Sequence, residues 1–153
     1  MHTGSLYEST VTKKRSSTLE LAEWTADQKD YSELFLNFRS ALESDPRAFA
    51  HIPMDIRFLS GDGSWLSNAY DRDIVTMGCV TRKPYAADRY RAFDIIEEQF
   101  LSFGGRPHWA KRFKAGRETL EKLYPKYEEF VALRRDMDPD GKFLNSYLGE
   151  LFS

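Results

Sequence analysis

The sequence has a single cysteine, no glycine-rich loop and no long apolar run, and each shortage excludes a class of protein. Cys79 cannot form an internal disulfide, and its place in an apolar run predicts a buried thiol in a protein suited to a reducing compartment. No stretch approaches the roughly 20 apolar residues that cross a bilayer, and Met1 to Tyr7 lack the apolar core of a signal peptide. Any membrane association is therefore expected to come from parts outside this sequence.

The distribution of charge and the spacing of possible metal ligands argue against two further classes, nucleic-acid-binding proteins and metalloproteins. The formal net charge is -2, with acidic and basic residues interspersed, so we expect no broad basic surface and no nucleic acid partner. The three histidines are dispersed and provide no zinc cluster. Residues 136–141 resemble the start of a calcium loop, but Tyr147 stands where the twelfth position requires a carboxylate. No metal site is expected.

The composition is that of one globular domain. The chain has 153 residues, of which 41% are hydrophobic and 14% aromatic, enough to form a sizeable core. Residues 1–16 are polar and are predicted to be a flexible N-terminal segment, which leaves 17–153 as the domain. Gly61 and Gly63 match no phosphate-binding pattern, and they are predicted to lie in a turn between strands.

Alternation of apolar and polar residues predicts three strands. Thr18–Trp24 places Leu19, Leu21 and Glu23 on one face. Residues 51–60 place Ile52, Met54, Ile56 and Phe58 on one face, so Asp55 and Arg57 share the other. Ile74–Thr81 is apolar on both faces and is predicted to be a core strand.

Four segments are predicted to be helical from the spacing of their apolar residues: 28–44, about Asp88 to Ser102, Glu118–Leu123 and Pro125–Arg135. The first is expected to end at Asp45-Pro46, the second at Gly104-Gly105, and Pro125 is placed in the first turn of the last. Helices grouped between strands indicate an α+β domain with a mainly antiparallel sheet flanked by helices.

The densest chemistry is in Gly105-Arg106-Pro107-His108-Trp109-Ala110-Lys111, which we call the signature segment. Glycine permits backbone angles closed to other residues and proline fixes its own, so the segment is predicted to hold His108 and Lys111 rigidly. From the residues alone, Lys111 fits an ordinary exposed lysine. Asp55 and Arg57 likewise fit a surface ion pair that contributes about 0 to 1 kcal/mol.

The signature segment resembles the C-terminal region of the sugar-lactone oxidases, the family of L-gulonolactone oxidase and D-arabinono-1,4-lactone oxidase within the vanillyl-alcohol-oxidase superfamily. Three other stretches resemble the family in the same order, namely residues 52–58, 65–73 and 138–148. The resemblance extends from about Leu19 to the last residue and is strongest after His51.

The resemblance implies a cap domain that binds the substrate of an FAD-dependent enzyme. In that family a sugar lactone gives hydride to the flavin, which passes electrons to oxygen or another acceptor. The family's flavin-binding domain has no counterpart here, so the resemblance implies a partner, either a flavin-binding domain or a separate subunit. A non-catalytic cap-like binding subunit, a truncated relative and a part of an alditol oxidase are the alternatives.

The resemblance also implies roles for five residues. Arg57 would face flavin and substrate, and Lys111 would lie by the flavin's pyrimidine ring, where both cations favour the charge of the reduced flavin. Asp55, where the family usually has glutamate, would bind substrate or only orient Arg57. His108 would be either a hydrogen-bonded structural residue or the base that takes the hydroxyl proton. Asn145 belongs to a closing motif near the flavin domain and would contact the cofactor.

Overall fold

The computed structural model describes residues 19–50, 53–82 and 90–153. The predicted flexible segment 1–16, residues 51 and 52 of the second predicted strand and the first residues of the second predicted helix lie outside the described residues. The α+β prediction is confirmed, with strands and helices listed in chain order: β1 Leu19–Asp27, α1 Tyr31–Ser44, β2 Asp55–Leu59, β3 Ile74–Arg82, α2 Arg91–Ser102, β4 Arg106–Pro107, α3 Arg117–Leu123, α4 Tyr127–Met137 and α5 Ser146–Phe152.

The four strands form one sheet in the order β2-β3-β1-β4, and each pair of neighbours is antiparallel. Trp24 lies opposite Met77, which in turn lies opposite Ile56. Because residues directly opposite each other in neighbouring strands point to the same side of the sheet, these three residues share one face. The buried residues of this face in β1 and β3 are Ala22, Trp24, Ala26, Val75, Met77 and Cys79.

Helices α1 and α2 contribute apolar side chains to the same core. Leu34 and Phe38 of α1 are fully buried, as the spacing of three and four residues predicts. Helix α1 ends at Ser44, where Asp45 turns to extended angles before Pro46, because a residue before proline avoids helical angles. Helix α2 buries Phe93, Ile96 and Phe100 in the cluster that contains Trp24.

The end of α2 is fixed by two backbone hydrogen bonds. Gly104 N–H donates to Leu101 O at 3.0 Å, and Gly105 N–H donates to Phe100 O at 2.7 Å, the pairing of a Schellman motif. The residue with left-handed angles is Gly104, with a φ of 62°. The prediction that the helix ends at these glycines is confirmed, but the conformational freedom assigned to Gly105 is required at Gly104.

The C-terminal third differs from the predicted helices in two ways. Pro125 was expected in the first turn of a helix, whereas it lies in the link between α3 and α4, and α4 begins only at Tyr127. Helix α5 was not predicted, and it buries Leu151 and Phe152 at the end of the chain. The Phe152 ring stacks on that of Tyr127 at 5.5 Å between centroids. Among the described residues no helix is long and apolar enough to span a membrane.

Candidate functional site

The sheet face opposite α1 and α2 carries polar side chains that are largely buried. Alternation along the strands places Glu23 and Thr25 of β1, Arg57 of β2 and Thr76 of β3 on this face. Glu23, Thr25 and Thr76 are each at most 9% exposed. Charged side chains are rarely buried unless they are paired, so this face is the place to look for a site.

Glu23 is the centre of the polar face. Its Oε1 accepts a hydrogen bond from Arg57 Nη2 at 2.6 Å and another from Thr76 Oγ1 at 2.7 Å. Asp55 Oδ2 lies 3.2 Å from Arg57 Nε, which confirms that Asp55 and Arg57 share a face. Alternation along the predicted strand puts Glu23 on the face of Leu19 and Leu21, and no role was expected for it. A carboxylate on a strand face that is otherwise apolar was the signal available.

The signature segment lies along the edge of β1 that β3 leaves open. Pro107 pairs with Trp24 and Arg106 with Thr25, which makes a two-residue strand that the sequence did not predict. His108 N–H then donates to Glu23 O at 2.9 Å. These bonds place the imidazole of His108 beside the polar face and confirm that the segment is held rigidly.

Arg106 is structural. Its guanidinium is buried and donates to three main-chain carbonyls: Leu123 O at 2.8 Å, Tyr70 O at 2.9 Å and Asn68 O at 3.2 Å. Burial lowers the pKa of Arg106 to about 10. The residue therefore joins β4 to the loop of residues 60–70 and to the end of α3.

Two more side chains hold the same loop. Trp109 Nε1–H donates to Leu66 O at 2.9 Å, and Asn68 Nδ2 donates to Pro107 O at 3.1 Å. The hydroxyl of Tyr124 lies 3.0 Å from Asn68 Oδ1, and burial raises the pKa of that hydroxyl. As a result the loop forms a fixed wall over the polar face.

A cavity of about 450 Å³ lies between the sheet, the loop and the signature segment. This volume is within the range of about 300 to 1,000 Å³ that is usual for small-molecule sites. Arg57 and His108 both contribute to its wall, which consists of Glu23, Thr25, Arg57, Leu59, Ser60, Asp62, Leu66, Ser67, Asn68, Ala69, Ile74, Thr76, His108, Trp109 and Ala110.

The five predicted site residues are brought together only in part. Arg57 and His108 share the cavity, and Asp55 lies outside its wall with its side chain 68% exposed. Lys111 lines a neighbouring depression with residues 19–21 and Arg112, and Ala110 lines both concavities. Asn145 caps helix α5, where its Oδ1 accepts a hydrogen bond from Leu148 N–H at 2.8 Å. The functional roles of all five residues stay predictions.

The ring of His108 has a defined hydrogen bond. Ala110 N–H donates to His108 Nδ1 at 3.1 Å, so in the neutral imidazole the proton is on Nε2. A general base needs a free lone pair on a ring nitrogen. In this geometry neutral His108 has a donor at Nε2, and its lone pair at Nδ1 is already engaged.

The surroundings of Asp138 and Cys79 indicate structural roles for these two residues. The Asp138 carboxylate accepts hydrogen bonds from Lys142 N–H at 2.8 Å and Phe143 N–H at 3.0 Å, and Gly141 N–H donates to Asp138 O at 3.1 Å, which closes a turn after α4. Within the described ranges no three His, Cys, Asp or Glu side chains are grouped to hold a metal ion. Cys79 is fully buried, and burial raises the pKa of its thiol to about 12, as expected of an inert thiol.

The chain matches known proteins over most of its length. A family model described as D-arabinono-1,4-lactone oxidase matches residues 7–151. L-gulonolactone oxidase of Mus musculus is 37% identical over 132 residues, which cover 85% of this chain and 30% of that protein. L-gulono-1,4-lactone dehydrogenase of Mycobacterium tuberculosis is 38% identical over 96 residues, which cover 62% and 22%.

Alditol oxidase of a Streptomyces species is 32% identical over 100 residues, which cover 63% of this chain and 23% of that protein. The chain therefore spans less than a third of the length of these curated relatives. The family match, in contrast, includes every strand and almost all of every helix of the described fold. The chain belongs to the D-arabinono-1,4-lactone oxidase family.

Proposed function

We propose that this chain is the substrate-binding, or cap, part of an FAD-dependent aldono-1,4-lactone oxidase or dehydrogenase. The observation that carries the proposal is the cavity over the polar face, where Arg57 and His108 contribute to one wall. The relatives are named as oxidases and dehydrogenases of sugar lactones and as an alditol oxidase. Membership of the same family supports an oxidoreductase, and the cavity supports a binding role for this part of it.

The residues of the cavity suit a flat, electron-accepting ring. Leu59, Leu66 and Trp109 supply apolar surface, and the side chain of Arg57 is 52% exposed. A guanidinium keeps its charge at any physiological pH and presents several N–H donors in one plane. Arg57 is thus suited to donate hydrogen bonds to the oxygen atoms of a ligand in the cavity. FAD, when bound, would accept the hydride from the substrate carbon, and its main binding site would be a domain or subunit outside this chain.

The remaining predicted residues have narrower roles in this proposal. His108 would donate from Nε2 to an oxygen of the lactone, because its Nδ1 is engaged by Ala110. Lys111 would contact a ligand that reaches past Ala110, which lines both concavities. Asp55 would act only through Arg57, because its carboxylate lies outside the wall.

Flavin reduction tests the proposal. The chain, purified with the polypeptide that completes it, is expected to show the visible spectrum of oxidised flavin and to lose it when a lactone is added without oxygen. Arg57→Lys and Lys111→Ala should each slow this reduction by about tenfold or more, because the first removes the planar fork of donors and the second removes an ammonium group. Arg39→Lys is the matched control, since Arg39 forms an exposed ion pair with Glu43 on α1.

A complex without flavin would contradict the proposal and favour a non-catalytic cap-like subunit. If xylitol reduces the flavin and lactones do not, the substrates would instead be open-chain polyols, the class implied by the alditol oxidase relative.

A further inference from the structure

Glu23 is a buried carboxylate in the cavity wall. We infer that it positions Arg57 and sets the charge of the cavity, so that the site takes a neutral polyhydroxy ligand and excludes a carboxylate. The inference rests on the proposed function for its meaning, since a sugar lactone is neutral and its hydrolysis product, the aldonate, is an anion. Glu23 is a positioning residue, and the group that it positions is the Arg57 guanidinium.

Two carboxylates contact Arg57, and their exposure to solvent decides which one restricts the guanidinium more. Glu23 Oε1 lies 2.6 Å from Nη2, and the Glu23 side chain is 11% exposed. Asp55 Oδ2 lies 3.2 Å from Nε, and the Asp55 side chain is 68% exposed. Water screens the exposed pair, whereas a buried pair is screened much less. The Glu23 contact is therefore the stronger restraint on the guanidinium.

The Glu23 carboxylate is itself held in place. Thr76, only 3% exposed, donates to the same Oε1 at 2.7 Å. The main chain of Glu23 lies in β1, which has β3 on one side and β4 on the other, and it accepts a hydrogen bond from His108 N–H at 2.9 Å. Asp55, in contrast, begins the edge strand β2. A guanidinium is planar, so fixing Nη2 restricts the direction of its other donors.

The same contacts determine the charge of the cavity. The charged groups of the wall are the Arg57 guanidinium and the carboxylates of Glu23 and Asp62, and the buried guanidinium of Arg106 also acts on Asp62. Hydrogen bonds from Ser67 and from the backbone of Ser64 lower the pKa of Asp62, which keeps that carboxylate ionised. Because Glu23 already offsets the charge of Arg57, an anionic ligand would gain little from the guanidinium and would be repelled by the carboxylates of the wall. A neutral hydroxyl-rich ligand would still find both donors and acceptors.

The experiment compares L-gulono-1,4-lactone with L-gulonate as ligands of the full chain, alone and with its flavin-containing partner. Binding is followed through the indole N–H signal of Trp109, which lies in the cavity wall. The wild-type chain is expected to bind the lactone at least about tenfold more tightly than gulonate. Binding of gulonate as tightly as the lactone, or of neither ligand in either state, would overturn the inference without any variant.

Two variants separate charge from position. Glu23→Gln is expected to tighten gulonate binding by about tenfold or more and to free the Arg57 guanidinium, whose N–H signals would average in cold spectra. Glu23→Asp keeps the charge and shortens the side chain, so it should free Arg57 while still excluding gulonate. Glu43→Gln is the matched control, because it makes the same exchange in an exposed ion pair with Arg39 on α1, and its expected change in gulonate binding is below about threefold.

If Glu23→Gln is folded and its gulonate affinity equals that of the wild type, Glu23 does not set the charge of the site. That result leaves the proposed function standing, because flavin reduction by lactone is measured separately. Failure of lactone to reduce flavin, with gulonate still excluded through Glu23, would instead remove the proposed reaction and keep the neutral-ligand site. An equal effect of Glu43→Gln and Glu23→Gln on gulonate would also overturn the inference.

Discussion

Gly105 packs against the last turn of α2 so closely that its N–H donates to Phe100 O at 2.7 Å, and a Cβ on Gly105 would lie 2.6 Å from the same oxygen. The oxygen belongs to the main chain, so it cannot move aside as a flexible side chain would. We expect Gly105→Ala to lower the free energy of unfolding by about 1 to 3 kcal/mol. Urea unfolding measures this change.

Gly63→Ala is the control for that substitution. A Cβ at Gly63 would meet nothing within 4 Å, so the same exchange there should change the free energy of unfolding by less than about 0.5 kcal/mol. Equal effects of the two substitutions would show that the contact with Phe100 is not the cause. Because β4 begins directly after Gly105, Gly105→Ala should also weaken ligand binding by the cavity.

The fold was predictable from sequence where one pattern continued over several turns or alternations. β1, β3, α1 and α2 each bury a regular set of apolar residues, and each was predicted to within a few residues wherever the structure describes it. β4 has two residues and exists because Arg106 pairs with Thr25, 81 positions earlier. Helix α5 has seven residues, too few to be stable without the packing of Phe152.

The site was predictable to the same degree. Alternation alone placed Asp55 and Arg57 on one face, and the signature segment identified His108. The contact between Glu23 and Arg57 depends on β3 lying between their strands, and nothing local in the sequence reports that order. Lys111 was expected beside Arg57, but Lys111 N–H donates to His108 O at 2.9 Å. The resulting turn carries Lys111 to the neighbouring depression.

Asn145 offers a test between a helix cap and a cofactor contact. Its Oδ1 accepts the N–H of Leu148 at 2.8 Å, as an N-cap does. We expect Asn145→Ala to lower the free energy of unfolding by about 1 kcal/mol and Asn145→Asp to retain it, because aspartate caps equally well. Urea unfolding of the two variants measures this. If Asn145→Asp weakens flavin retention in the assembled protein as much as Asn145→Ala does, the cofactor contact predicted from the resemblance is favoured.

Glu97 gives a dependence of stability on pH. Burial raises the pKa of its carboxyl above the ordinary 4.5, and the N–H of Lys114 opposes this only in part. A raised pKa in the folded state means that the contribution of Glu97 is fully present at low pH and is lost as pH rises through the folded value. The free energy of unfolding of the wild type, relative to Glu97→Gln, should therefore fall as pH rises above the ordinary value of 4.5.

The comparison with Glu97→Gln isolates this group. Glutamine keeps a carbonyl oxygen for the Lys114 N–H, which now donates to both carboxylate oxygens of Glu97 at 2.9 and 3.1 Å. Carboxyls elsewhere titrate alike in both proteins and cancel from the difference. Urea unfolding of the pair across that pH range gives the difference directly. A difference that grows with pH would mean that the hydrogen bonds outweigh burial and that the pKa is lowered.

His108 permits a test of which ring nitrogen acts on the ligand. Its Nδ1 accepts the N–H of Ala110 at 3.1 Å, so we expect the neutral ring to carry its proton on Nε2. Nitrogen spectra of the imidazole distinguish the two tautomers in the free chain. A proton found on Nδ1 would contradict the Ala110 bond and return His108 to the role of a base with a free Nε2.

Substitution of His108 by asparagine and by glutamine distinguishes the roles of its two ring nitrogens in the assembled protein. His108→Asn can keep an oxygen near Nδ1 for the Ala110 N–H but loses the donor at Nε2, whereas His108→Gln can place an amide N–H near Nε2 and cannot titrate. If His108 acts as a donor, His108→Gln should retain more lactone-driven flavin reduction than His108→Asn, by about tenfold. If His108 is the base, both variants should lose the reaction to a similar extent, because neither amide accepts a proton. The ratio of the two rates therefore separates the roles even when both variants are slower than the wild type.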